Sequence, residues 1–384
     1  MIYFDNAATS FPKPAGVTAA VVKHLATEAV NPGRSGFDLG LEAGRHIDAL
    51  RQELARFFNL PGGQADRVVF TGNATGALNI ALQGVLEPGD HVIGTVLEHN
   101  SVLRPLQHLR EERGISFDLA PCDAQGYLEP EAIEALVKPE TRLVVVTHAS
   151  NVLGTVQNVA AVGAICRRRG LLFLVDAAQT AGVVPVDMAA MGADLLAFTG
   201  HKGLMGPTGT GGLLVAPEVA IRPLFWGGTG VRSAQRTHIQ EFPYRLEAGT
   251  LNAVGLAGLR AGLKWVQDQP VQETEAKLAR HLLGGLASLP HVRVLSFEKG
   301  ETAWDGARRV PVFSLLIDGM DPAKAGVFLD AEWDIAVRTG LQCAPRAHEA
   351  LGTGKEGTVR VSLGPLNTTA EIETLLEALA SFAP

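Results

Sequence analysis

Long apolar runs are missing from this chain of 384 residues. None approaches the ~20 residues that a membrane-crossing helix needs, so no membrane is expected as a partner. Basic clusters are missing as well: the longest is Arg167-Arg168-Arg169, and the formal net charge is −7. Nucleic acid and anionic surfaces both demand a positive footprint, so nucleic acid is not expected as a partner either. The three arginines are expected to close a helix, where cations favour the carbonyl end. Cysteine is scarce. Cys122, Cys166 and Cys343 are far apart and odd in number, which excludes a disulfide framework and a zinc set, and no metal is expected. No P-loop pattern occurs, so a nucleoside triphosphate is not indicated. The opening MIYFDNAATS has neither a basic head nor an apolar h-region. No signal peptide is expected, and the expected compartment is the cytoplasm.

What is present points to a large core. Apolar residues make up 46% and charged residues 19%, a balance that excludes disorder as the main state. The length suits two domains. Residues 15–30 and 41–58 read as helices, the second with Leu41, Ile47, Leu50, Leu54, Phe57 and Phe58 mostly on one stripe. From VVF at 68–70 the pattern alternates. The short apolar runs HVIGTV, RLVVVTH, LLFLVD, DLLAFTG and GGLLVA follow, most of them separated by helical stretches. Continuously apolar strands of this kind predict a mostly parallel sheet covered on both faces by helices. After about residue 255 the texture changes to a helix over 277–289, the strands VRVLSF, VPVFSLLI, IAVRTG and TVRVSL, and a helix from Pro322. A last helix opens at Thr368 with a capping-box spacing to Glu371. The expected class is α/β: a large domain over 15–255 and a smaller α+β domain from 1–14 and 256–384.

In an open α/β sheet, ligands bind beyond the carboxyl ends of the strands. The residues at those ends are therefore candidates. Gly72-Asn73-Ala74-Thr75-Gly76 is a glycine turn opening a helix, either an ordinary turn or an anion cradle. It is not GxGxxG. Asp176, at the end of LLFLV, is either a helix cap or an anion for a protonated ring nitrogen. Lys202, ahead of GLMGPTGTGG, is either a solvated loop charge or a Schiff-base lysine. Together the three are the parts that pyridoxal phosphate needs: a phosphate cradle, a pyridinium partner and a lysine for the aldehyde. His99 suits stacking on a ring, and Asn151 and Gln179 suit hydrogen bonding to a ring oxygen. An isolated Cys343 reads as a small buried hydrophobe. Its glycine, arginine and proline neighbours read instead as a loop where a cation favours thiolate.

The sequence resembles the cysteine desulfurases of the class-V aminotransferases, fold-type I enzymes dependent on pyridoxal phosphate. The ordered matches are YFDNAAT at 3–9, Asn31-Pro32-Gly33-Arg34-Ser35, EHNS at 98–101, SNVLGTVQ at 150–157, VDAAQ at 175–179, TGHKGLMGPTGTGGL at 199–213, RLEAGTLN at 245–252, RTGLQCA at 338–344 and VRVSLGPLNT at 359–368. The resemblance implies a Schiff base between Lys202 and the cofactor, Asp176 at the pyridinium, His99 on the ring face, and Gln179 and Asn151 at the ring oxygen. It implies phosphate contacts from the Ala74 amide, Thr75, Thr199 and His201. Thr250 would serve the phosphate site of a neighbouring chain, which implies a homodimer. Arg360 would clamp the substrate carboxylate, with Arg338 and Asn31 also at the substrate, and Cys343 would be the nucleophile. L-cysteine is the implied substrate and a sulfur-acceptor protein the implied partner. Leu341-Gln342 departs from the polar pair often seen before that cysteine. This leaves room for L-selenocysteine as substrate in a selenocysteine lyase, or for another class-V aminotransferase or lyase reaction. A catalytically silent sulfur-transfer scaffold is the least favoured reading.

Overall fold

The structure is a computed structural model and describes residues 1–32 and 37–382. Gly33, Arg34 and Ser35 of the Asn31–Ser35 match lie outside the described residues. A seven-stranded sheet forms the larger layer, in the order Val68–Thr71, Gly211–Val215, Leu195–Thr199, Leu172–Asp176, Thr141–Thr147, His91–Thr95 and Ser116–Ala120. Gly211–Val215 runs antiparallel to both of its neighbours, and the other pairings are parallel. Leu195, Leu196, Ala197 and Phe198 are all buried. A strand apolar on both faces is what a sheet sandwiched between helices requires. The edge strand Ser116–Ala120 was not anticipated. Its polar, half-exposed SFDLA lacks the continuous apolar signature of the central strands.

Two helices open at the carboxyl edge of this sheet. Ala74–Val85 is capped by Asn73, whose side chain accepts from the Gly76 amide at 3.0 Å. Asn100–Arg113 is capped by His99. Such caps satisfy one of the free amides of a first turn and leave others available. The expected helix over 15–30 is an α-helix only across Ala15–Lys23 and continues as a π-turn over His24–Glu28. Arg167, Arg168 and Arg169 do close a helix, Val159–Arg169, before the left-handed Gly170.

A second, antiparallel sheet takes the order Arg338–Gly340, Thr358–Ser362, Val312–Ile317 and Val292–Val294. Phe313, Leu315, Val359 and Val361 pack with leucines of Val271–Leu286 and Thr369–Ala380 in a core of their own. The Thr368–Glu371 capping box is formed. Phe4 belongs to this core, because Ile2–Tyr3 pairs with Ile335–Ala336. Helix Ala253–Asp268 packs its Leu256, Leu259 and Leu263 into the larger core.

Candidate active site

The carboxyl edge of the large sheet meets the second sheet at a cavity of about 300 Å³. Ala74, Thr75, His99, Asn151, Asp176, Gln179, Thr199, His201 and Lys202 line it from the first sheet and its loops, and Arg338, Cys343 and Arg360 from the second. The residues from 74 to 202 converge because each follows or ends a strand of the large sheet, and Arg338 and Arg360 reach the same cavity from strands of the second sheet. Gly200 shows how tightly the lysine loop is set. A Cβ there would fall 2.2 Å from Thr210 Oγ1, so only glycine lets the chain pass to His201 and Lys202.

Burial at this edge shifts its titratable groups toward their neutral forms. Burial pushes the Asp176 carboxyl up from its ordinary range, although Oδ1 accepts from the Ala178 amide at 2.9 Å. Burial pulls Lys202 down to about 8, against the opposing pull of Asp176. Burial, with Lys202 and Arg360 nearby, pulls His99 down to about 4. The Ser101 amide donates to His99 Nδ1 at 3.0 Å, so Nδ1 is the bare acceptor and Nε2 carries the proton of the neutral ring. Ser101 Oγ bridges His99 Nδ1 and Thr75 Oγ1 at 2.7 and 2.8 Å.

These residues fit pyridoxal phosphate. Asp176 is a buried carboxylate with no cation within ion-pair distance among the described residues, and His201 Nδ1 is buried without a hydrogen-bond partner. A buried charge or donor left in this state calls for a group to complete it. A ring nitrogen would complete the first and a phosphate the second, at a helix N-terminus suited to anions.

At the other wall, Arg360 is buried. Its Nη1 donates to the Asn151 carbonyl at 3.1 Å and its Nη2 to Asp5 Oδ1 at 2.5 Å. Cys343 is exposed, whereas Cys166 is buried and its thiol is pushed up to about 12 by burial. Gln342 and Cys343 both sit at positive φ, 43° and 60°, a conformation that strains non-glycine residues by about 1–3 kcal/mol each. The loop is held on both sides. The Asn100 amide donates to the Cys343 carbonyl at 2.7 Å, and Asn151 Nδ2 to the Gln342 carbonyl at 2.6 Å.

Two expected residues are not brought to this cavity. Thr250 and Asn31 are exposed and line a separate one of about 620 Å³, together with Gly228–Val231, Tyr244 and Glu247. Three others were missed by sequence reasoning. Ser101 and Asp5 lie within the matched segments EHNS and YFDNAAT, but neither carries a local signal. Gln342 read as a departure from the polar pair. It is a buried anchor whose Oε1 accepts from Thr358 Oγ1 at 3.3 Å and lies 2.9 Å from His348 Nε2.

A cavity at the strand ends of a mostly parallel sheet, with residues that fit pyridoxal phosphate, is the arrangement of a fold-type I enzyme. The sequence model of class-V aminotransferases matches residues 2–375. The chain belongs to the class-V aminotransferase family. A probable cysteine desulfurase of Methanothermobacter thermautotrophicus is 37% identical over 100% of this chain and 94% of its own length. A cysteine desulfurase of Klebsiella pneumoniae is 32% identical over 99% of this chain and 92% of its own. Among solved structures, the apo cysteine desulfurase of Thermococcus onnurineus superposes with a TM-score of 0.90 at 32% identity, covering 99% of this chain and 94% of that one.

Proposed function

We propose that this chain is a pyridoxal-phosphate-dependent cysteine desulfurase, which converts L-cysteine to L-alanine and leaves the sulfur as a persulfide on Cys343. The observation that carries the reading is the convergence of Lys202, Asp176, Arg360 and an exposed Cys343 on one cavity. When bound, the cofactor supplies an electron sink for charge at the substrate α-carbon. The Ala74 amide and the side chains of Thr75, Thr199 and His201 hold its phosphate. Asp176 would keep a proton on its ring nitrogen, His99 would cover the ring, and Gln179 and Asn151 would serve its ring oxygen. Lys202 would carry it and is the base placed to move the substrate α-proton; a lysine that burial pulls down to about 8 gives and takes protons near neutral pH.

Arg360 holds the substrate carboxylate through its remaining donors, with Arg338 beside it. The Cys343 thiolate attacks the substrate sulfur. An S–S bond forms as the Cβ–S bond breaks, the electron pair stays with carbon, and protonation gives alanine. A sulfur-acceptor protein then takes the persulfide sulfur.

A homodimer belongs to the same proposal. Thr250 serves the neighbour's phosphate site, which accounts for its distance from its own. Exposed Phe225 and Trp226, three and two residues before Gly228 in the wall of that second cavity, supply an apolar face for a partner copy. No helix among the described residues is long and apolar enough to cross a membrane, and a cytoplasmic location completes the proposal. The test is alanine formation from L-cysteine by cofactor-loaded protein; no alanine would sink the reading.

A further inference from the structure

The two arginines of the cavity wall share one carboxylate. Asp5 Oδ1 accepts from Arg360 Nη2 at 2.5 Å, and Oδ2 lies 3.8 Å from Arg338 Nη1. Asp5 is itself fixed: it bridges to Ser362, and the Tyr3 hydroxyl donates to its carbonyl at 3.1 Å. Arg360 and Arg338 line the cavity, while Asp5 is not among the lining residues. Its carboxylate therefore acts on the cavity wall through the two arginines it pairs with.

The charge count is two guanidinium cations against one aspartate. A buried guanidinium without any counter-ion is strongly unfavourable, and Asp5 removes most of that penalty in the substrate-free protein. Within this pair one positive charge is left without a counter-ion at the cavity wall, enough for one incoming carboxylate.

We propose that Asp5 determines specificity: by neutralising half of the arginine pair, it matches the site to amino acids with a single carboxylate and disfavours those with a second anion on the side chain. This rests on the desulfurase reading and deepens it. L-cysteine brings one such group to the arginines, whereas L-cysteine sulfinate and L-aspartate bring two. Asp5 does not line the cavity and acts through Arg360 and Arg338, so its effect falls on binding.

Asp5→Asn keeps the shape and an acceptor for Arg360 but removes the charge. In the cofactor-loaded enzyme the ratio of kcat/KM for L-cysteine sulfinate over L-cysteine should rise at least about tenfold, carried by KM with kcat nearly unchanged. Asp5→Glu, which restores the charge, should return the ratio toward that of the unaltered enzyme. A ratio that does not move, or KM values that rise together for both substrates, would overturn the proposal and leave Asp5 as a mere support for Arg360. A second arm does not depend on turnover. Titrating L-alanine and L-aspartate against the visible absorbance of the bound cofactor should show Asp5→Asn tightening L-aspartate more than L-alanine. Equal tightening would overturn the proposal even if the desulfurase reading had already failed.

Discussion

Single residues at the sheet edge had two readings each, and burial bears on both. Lys202, read alone, is a loop charge. In the structure it lines the cavity with its pKa pulled to about 8, where an ammonium is no longer favoured over an amine by much. Lys202→Ala should lower alanine formation by at least roughly 10²–10⁴-fold and remove the visible absorbance of the bound cofactor. Circular dichroism should stay unchanged, and turnover at the unaltered rate would refute the assignment. Glu98 had no reading in the sequence beyond its place in EHNS. It is fully buried, accepts from Thr95 Oγ1 at 2.7 Å and from the Thr147 amide at 3.0 Å, and burial raises it to about 8. Its folded-state pKa lies above the unfolded value. Between pH 4.5 and 8 only the folded state holds the proton, and stability falls as pH rises. Glu98→Gln removes that slope, so urea unfolding should show the variant gaining on the unaltered protein from pH 5 to pH 8 by on the order of several kcal/mol. Parallel pH profiles would contradict it.

Elements were legible where burial on both faces imposed a continuous apolar pattern, and less so elsewhere. The central strands, the Ala74–Val85 helix with its cap and the Thr368 capping box follow from local sequence. The polar edge strand Ser116–Ala120 and the π-turn at His24–Glu28 do not, because pairing and packing with distant segments set them. The proposed domain division near 255 is better drawn after Asp268, since helix Ala253–Asp268 gives three leucines to the larger core. The Cys343 loop repeats the lesson. RTGLQCAP announces a loop, but not that Gln342 is its buried anchor or that Asn100 and Asn151 hold its carbonyls. A thiol presented from a strained and pinned backbone is aimed in advance. Cys343→Ser should still bind the cofactor but form no alanine from L-cysteine, and mass spectrometry should find no ~32 Da increment for a bound sulfur atom. Retained activity on L-selenocysteine is expected, because the C–Se bond needs less assistance. Unchanged desulfuration of L-cysteine would return Cys343 to the packing residues.

For the molecule as a whole, one assignment cannot be completed within a single chain. The resemblance sends Thr250 to a phosphate site, yet in this chain Thr250 is exposed beside a cavity of about 620 Å³ that shares no lining residue with the Lys202 cavity. Either Thr250 has no part in the chemistry, or it acts on a second copy across a two-fold interface, where the same patch serves both partners. The second case predicts a particle of about twice 40.5 kDa in sedimentation. It also predicts complementation. In Lys202→Ala dimers neither site has its lysine, and in Thr250→Val dimers both sites lack the hydroxyl from across the interface. A mixed dimer of the two variants assembles one site with an intact Lys202 and an intact Thr250 from its partner, and one site lacking both. Mixing the two variants, with dissociation and reassociation, should therefore restore cofactor retention and alanine formation in the hybrid to about half the level of the unaltered dimer. If each chain instead used its own Thr250, no site in the hybrid would be whole, and activity would stay at the average of the two parents.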